Sequence, residues 1–284
     1  MDWARDLPVW PNADTSRRIR QRPHDWHVQE TGSGPDILLL HGAGASTHSW
    51  RGLLPVLSKS FRVIALDLPG HGFTRAGNRS RLALDTVAED IATLCAAQEW
   101  HPRVIVGHSA GAAVAIALSE KVTPCPQVIT LNAALDRFDG FAGWLFPAFA
   151  KMLALNPFTS VAFAMGGGSA LRARAIITST GSQLSEEGYG YYARLLSDRA
   201  HVDGTLQMMA RWNTDSLYYR LPEIETRCLL VTGARDTAVP PRVSAMAATR
   251  LPQGELRELD DLGHLAHEED PETIAQLIEA WIDL

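Results

Sequence analysis

Three residues suited to covalent acyl chemistry occur in the order Ser109, Asp236 and His264. Ser109 sits in Gly107-His-Ser-Ala-Gly111, between the apolar run Val104-Ile-Val106 and the small-residue stretch Ala112 to Leu118. A strand, a tight turn and a helix in that order lift the serine hydroxyl above a sheet. They also set it at a helix N-terminus, where free N–H groups favour developing negative charge. Glycine at 107 and 111 avoids side chains that would meet neighbouring backbone. A serine near its own pKa is a poor nucleophile, so a base must take its proton. His264, preceded by Gly263, fills that role, and Asp236 in Gly233-Ala-Arg-Asp236 holds the imidazole in the right tautomer. The tetrahedral oxyanion needs two donors. The N–H of Ala110 is one, and the N–H of Ala43 in His41-Gly-Ala-Gly44 is the other. Losing one such donor costs about 3–4 kcal/mol of barrier.

Each residue also has a plainer reading. Asp236 could cap its own loop. His267 competes with His264 as base; the preceding glycine and the position right after a strand favour His264. His264, His267 and Glu268 have the composition of a metal cluster but no known ligand spacing, so no metal is expected. His108 packs in the elbow or borders a substrate pocket, and His41 and His71 read as hydrogen-bonders in strand-end loops. The segment His41–Gly44 carries neither a Walker lysine nor G-x-G-x-x-G, so no phosphate-bearing cofactor is expected, nor any other.

The elements that position these residues follow from periodicity. Arg17 to Glu30 alternates weakly and predicts two short antiparallel strands. Ile37–Leu40, Arg62–Leu66, Val104–Val106, Gln127–Leu131, Arg227–Thr232 and Glu255–Leu259 are apolar or strand-end runs, several of them continuous as in strands buried on both faces. Between them, helices are expected from near Ser49 to Lys59, over Asp85–Gln98, after the elbow, from Pro240 or Pro241, and over Glu272–Leu284. The fold class is therefore α/β: a mostly parallel, doubly wound sheet with its site at the carboxyl edge. The rhythm breaks over 133–219, which predicts a helical cap inserted into a core made of 1–132 and 220–284. Six of the eight phenylalanines lie in the first part of this insert, together with Trp144 and the hinge-like Gly166-Gly-Gly168. A plain connecting loop would be polar, so the cap has an apolar inner surface. Most of these aromatics pack the cap onto the sheet. A minority, with Phe141, Trp144 and Phe149 as candidates beside His108, would line an apolar substrate pocket or touch a membrane surface.

Composition narrows the function classes. The chain has 284 residues, 46% hydrophobic and 20% charged, as in an ordinary globular protein. A net charge of −6 argues against nucleic acid. Three cysteines without C-x-x-C pairing predict a reducing compartment, hence the cytoplasm, and no disulfide framework. The charged start reads as no signal peptide, and no stretch reads as a membrane span.

Taken together, Leu38-Leu-Leu-His-Gly42, Asp67-Leu-Pro-Gly-His-Gly72, Gly107–Gly111, Gly233–Asp236 and Gly263-His264 make the chain resemble capped members of the α/β-hydrolase superfamily. Serine at the nucleophile position is unlike haloalkane dehalogenases and most epoxide hydrolases. Asp2-Trp-Ala-Arg-Asp-Leu-Pro8, Trp10-Pro11, His41 to Trp50 and Asp67 to Thr74 resemble, more narrowly, the magnesium-chelatase accessory proteins of bacteriochlorophyll biosynthesis. The broad resemblance implies a serine esterase with a catalytic triad and an oxyanion hole. The narrow one implies a role in the tetrapyrrole pathway, with magnesium chelatase as a partner. An apolar cap is compatible with a tetrapyrrole or isoprenoid substrate, and also with a non-catalytic accessory protein that binds a tetrapyrrole or assists the chelatase.

Overall fold

A computed structural model describes residues 1–135 and 170–282 of the chain. Strands β1 (Ser16–Gln21), β2 (His24–Thr31), β3 (Asp36–Leu40), β4 (Arg62–Leu66), β5 (Pro102–His108), β6 (Gln127–Leu131), β7 (Cys228–Gly233) and β8 (Gly254–Leu259) form one sheet. Their spatial order is β1-β2-β4-β3-β5-β6-β7-β8. The β1–β2 and β2–β4 pairs are antiparallel, and every pair from β4 to β8 is parallel. The weakly alternating segment is thus the antiparallel edge hairpin of a parallel sheet.

The helices are α1 (Trp3–Asp6), α2 (Leu53–Leu57), α3 (Leu84–Ala97), α4 (Ala110–Ser119), α5 (Ala170–Thr178), α6 (Glu186–Ser197), α7 (Arg199–Met209), α8 (Asp215–Arg220), α9 (Arg242–Arg250), α10 (Ala266–Glu269) and α11 (Pro271–Ile282). Helices α3, α4 and α9 pack on one face of the sheet, and α2 and α11 on the other. Strand β3 explains why the run Ile37–Leu40 is uniformly apolar. Leu38 and Leu40 enter the first core while Ile37 and Leu39 enter the second, because successive side chains point to opposite faces. The doubly wound α/β-hydrolase architecture expected from the sequence is therefore present.

One expected helix is shorter than its apolar pattern. Instead of running from Ser49 to Lys59, the chain forms a 3-10 turn over Thr47–Trp50 and then α2. Gly52 weakens a continuous helix, and Pro55 has no N–H to offer one. The expected start at Pro240 or Pro241 shifts by a residue, since Pro241 is the N-cap of α9.

Between β6 and β7 the described residues fold as α5 to α8 and contain no strand. Phe141, Trp144 and Phe149, the candidate pocket residues, lie outside the described residues, as does Gly166-Gly-Gly168. No helix among the described residues is long and apolar enough to cross a membrane.

Candidate active site

The elbow is built by two close backbone approaches. A Cβ on Gly107 would fall 2.4 Å from the carbonyl oxygen of Gly111, and one on Gly111 would fall 2.2 Å from that of Leu40. Only glycine lets β5 turn into α4 this tightly against β3. Ser109, between them, has φ 52° and ψ −116°, a strained conformation for an L-residue. Such strain costs about 1–3 kcal/mol and persists only where surrounding bonds impose it. Here the Ser109 N–H donates to Leu131 O (3.0 Å), and its carbonyl accepts from Ala112 and Ala134 (3.1 Å each). Ala110 opens α4, so its N–H is among the amides that have no partner within the helix.

Asp236 lies in the loop after β7, and four donors converge on its carboxylate. Oδ1 accepts the N–H groups of Ala238 and Val239, both at 2.8 Å. Oδ2 accepts Asn132 Nδ2 at 2.8 Å and His264 Nδ1 at 2.7 Å. Because a carboxylate oxygen can only accept in this setting, the proton of His264 sits on Nδ1 and Nε2 is left as the basic nitrogen. Asp236 binds His264 and not His267, which lies fully buried between Trp50 and His108, with ring centroids 4.5 Å from each and no hydrogen bond to either ring nitrogen.

Ser109 is tied to this pair through its neighbour. His108 Nε2 donates to the carbonyl of His264 (2.9 Å), and the two rings lie 4.8 Å apart. Among the described residues, no hydrogen bond joins Ser109 Oγ to the His264 ring. Burial, then the nearby His267 and His264, holds the His108 ring well below the usual histidine range. Burial, then Arg51, lowers His267 to about 3. Both rings are therefore neutral spacers at neutral pH. The loop carrying Ala43 adjoins the nucleophile: a Cβ on Gly42 would lie 3.0 Å from Ser109 Cβ, and Ala43 itself is exposed. His41, in the same loop, donates from Nδ1 to Gly42 O (2.7 Å) and accepts Leu68 N–H at Nε2 (2.9 Å).

Two contributors escaped the sequence reading. Asn132 is fully buried at the end of β6 and ties Asp236 to Gly263, whose carbonyl also accepts from Nδ2 at 3.3 Å. Residues 180–182, after α5, clamp both site loops. Thr180 O accepts from Thr237 (3.3 Å) and His264 (3.4 Å), and Ser182 Oγ accepts from Leu265 N–H (2.8 Å). A polar residue at a strand end was the available signal for Asn132; nothing local marks Thr180 or Ser182. No group of metal-binding side chains occurs among the described residues.

This arrangement can be set beside known proteins. Residues 35–271 match the family model described as the alpha/beta hydrolase fold. The chain is 44% identical over 282 residues to the magnesium-chelatase 30 kDa subunit of Rhodobacter capsulatus, covering 98% of this chain and 99% of that protein. It is 25% identical over 266 residues to a pimeloyl-[acyl-carrier protein] methyl ester esterase of Aeromonas hydrophila, covering 90% of this chain and 98% of that one. The solved structure of the epoxide hydrolase CorEH superposes with a TM-score of 0.79 at 20% identity, over 95% of this chain and 98% of that one, a likeness of fold. With its sheet order, its elbow and this match across most of its length, the chain belongs to the α/β-hydrolase family and is a relative of the Rhodobacter chelatase subunit.

Proposed function

We propose that the chain is a serine hydrolase of the carboxylic-ester type. The observation that carries this reading is the Asp236–His264 pair at 2.7 Å, with the aspartate held by three further donors. In the proposed cycle, His264 Nε2 takes the proton of Ser109 Oγ as the oxygen attacks an ester carbonyl. The N–H groups of Ala110 and Ala43 hold the resulting oxyanion. His264 then hands its proton to the departing alkoxide, leaving an acyl-serine and a free alcohol. Water enters, gives a proton to the same nitrogen and attacks the acyl carbon; the returned proton releases Ser109 and the acid. Asp236 steadies the imidazolium throughout.

The substrate on this reading is an apolar ester, a tetrapyrrole or isoprenoid derivative, held against His108 and the aromatic residues Phe141, Trp144 and Phe149. The setting is bacteriochlorophyll synthesis, with magnesium chelatase as a cytoplasmic partner. Likeness to a protein named as a chelatase subunit supports that setting, and likeness to a methyl ester esterase supports the chemistry. The chelatase name also favours a second reading, a tetrapyrrole-binding or chelatase-assisting protein that catalyses nothing. A fluorescent fluorophosphonate separates the two. Labelling of the native chain, lost in Ser109→Ala, is the expected result; a folded native chain that takes no label sinks the hydrolase.

A further inference from the structure

The chain is net negative, at −6, yet one of its faces carries arginines that exceed their acidic partners. A cleft of about 860 Å³ opens between α1, the segment from Gly70 to Leu82 and the start of α7. Arg5, Arg75, Arg79 and Arg199 line it, alongside Asp2, Asp198 and Asp203. Arg5 is paired with Asp6, Arg79 with Asp203, and the Met1 amino group with Asp198. Among the described residues, Arg75 and Arg199 make no ion pair, and both are exposed.

The basic band extends past the cleft. Arg75 bridges through its backbone to Asp25, which stands opposite Arg20 on β1. Arg18 shares the face of Arg20, two residues along the strand, and its guanidinium lies 4.3 Å over the ring of Trp3. Trp3 packs in turn on Phe73 in the cleft wall, with ring centroids 5.7 Å apart. Arg18 and Arg20 are exposed too. Charges on an edge strand also guard it against stray pairing, a role Arg18 and Arg20 serve alongside any docking. That role does not account for Arg75 or Arg199, which lie on no strand.

We propose that this band docks an acidic segment of a partner protein. Guanidinium groups match carboxylates in two-point hydrogen bonds. The three aspartates in the same cleft penalise a dense dianion such as a phosphate, but leave room for single charges spaced along a chain. The band reaches from the cleft onto the β1 edge, farther than a small molecule confined to the cleft would use. Ser109, Asp236 and His264 do not line the cleft, so the site stands whether or not the chain is a hydrolase.

Fluorescence anisotropy of a fluorescein-labelled peptide of alternating Glu and Ser, titrated with the full chain at low salt, tests this. The native chain binds the peptide, and added salt weakens binding. The double variant Arg75→Glu/Arg199→Glu binds at least about tenfold more weakly. Arg257→Glu, an exposed reversal on β8 at the far edge of the sheet, stays within about twofold. A Gln-for-Glu peptide does not bind. Circular dichroism melts check that both variants fold. The proposal is overturned if the native chain fails to bind, if Arg257→Glu weakens binding as much as the double variant does, or if pyrophosphate or a single-stranded oligonucleotide binds the same arginines more tightly than the peptide.

Discussion

Two aspartate–histidine pairs in this molecule share one geometry. At the carboxyl edge, His264 Nδ1 meets Asp236 Oδ2 at 2.7 Å; under the edge hairpin, His27 Nδ1 meets Asp67 Oδ2 at 2.7 Å. The second pair even has its serine in place, with Ser16 Oγ 3.0 Å from His27 Nε2. Judged by hydrogen bonds alone, Ser16–His27–Asp67 is the better-formed triad. Its surroundings differ. Ser16 has relaxed extended backbone (φ −82°, ψ 134°), starts a strand instead of a helix, and is committed to Gln29 Nε2 at 3.2 Å as well as to His27. Ser109 is strained, stands at the head of α4 and faces the loop of Ala43. On the proposed function, the difference separates the two serines by an uncommitted hydroxyl at a helix start, not by a complete hydrogen-bond chain.

The sharpest way to break this comparison is to remove each serine in turn. Ser109→Ala should abolish fluorophosphonate labelling, while Ser16→Ala should keep the native labelling rate within about twofold, since the Ser16 hydroxyl is already committed to His27 and Gln29 and heads no helix. Gel fluorescence reads both, and the reverse pattern would make the hairpin serine the nucleophile. The aspartates come next. Asp236→Asn should slow labelling by about 10³-fold or more, because the imidazole loses its partner and its tautomer. Asp67→Asn should act on stability. Burial alone would push the Asp67 carboxyl up, but the His27 ring, His41 and the Phe73 N–H hold it well below the usual carboxylate range. Breaking a wholly buried pair of this kind costs about 3 kcal/mol. Urea denaturation should report that loss, while the folded fraction labels within about threefold of the native rate.

Acid separates the two regions from the histidines around them. Burial is the first cause that holds His48, His71 and His108 well below the usual range, and it lowers His201 to about 4 and His267 to about 3. Each folded pKa lies below the unfolded one, so the unfolded chain binds more protons at mildly acidic pH. Stability is fully present above about pH 6.5 and falls by about 1.4 kcal/mol per pH unit for each such histidine as pH drops toward its folded value. Asp67, also depressed, adds a further loss below about pH 4. Urea midpoints measured from pH 7 down to pH 4 should fall steeply, and His267→Phe should shallow the slope by about one proton.

Much of this was legible in the sequence because its causes are local. Arg62–Leu66 and Gln127–Leu131 are strands with the expected bounds, since runs buried on both faces announce themselves. The elbow was readable for the same reason: strand, glycine pair and small-residue helix are contiguous. The loop positions of Asp236 and His264 were legible because each follows a strand in a parallel sheet. What could not be read depends on contacts across the chain. Asn132 reaches a residue more than a hundred positions away, and Ser16, His27 and Asp67 come together only when β2 pairs with β4. The shortness of α2 was not legible because its apolar spacing hid the effect of Gly52 and Pro55.

The smallest effect isolates what the two aspartates do not share. Besides its histidine, Asp67 is held by backbone, the N–H groups of Thr47 (2.7 Å) and Phe73 (2.8 Å), which no substitution of their side chains removes. Asp236 has backbone donors on Oδ1, but on Oδ2, the oxygen that meets His264, its second donor is the side chain of Asn132. Asn132 itself has φ 52°, so alanine there would be strained as well as truncated, whereas glycine would only be truncated. Both Asn132→Ala and Asn132→Gly should lower the fluorophosphonate labelling rate by about tenfold, as Asp236 loses its tie to β6 and the imidazole wanders. Asn132→Ala should be the less stable by about 1 kcal/mol, the added cost of the left-handed backbone. Equal melting temperatures with a tenfold slower rate in each would leave the positioning role intact and remove the strain argument. A native labelling rate in the glycine variant would show that Asp236, like Asp67, is held by backbone alone.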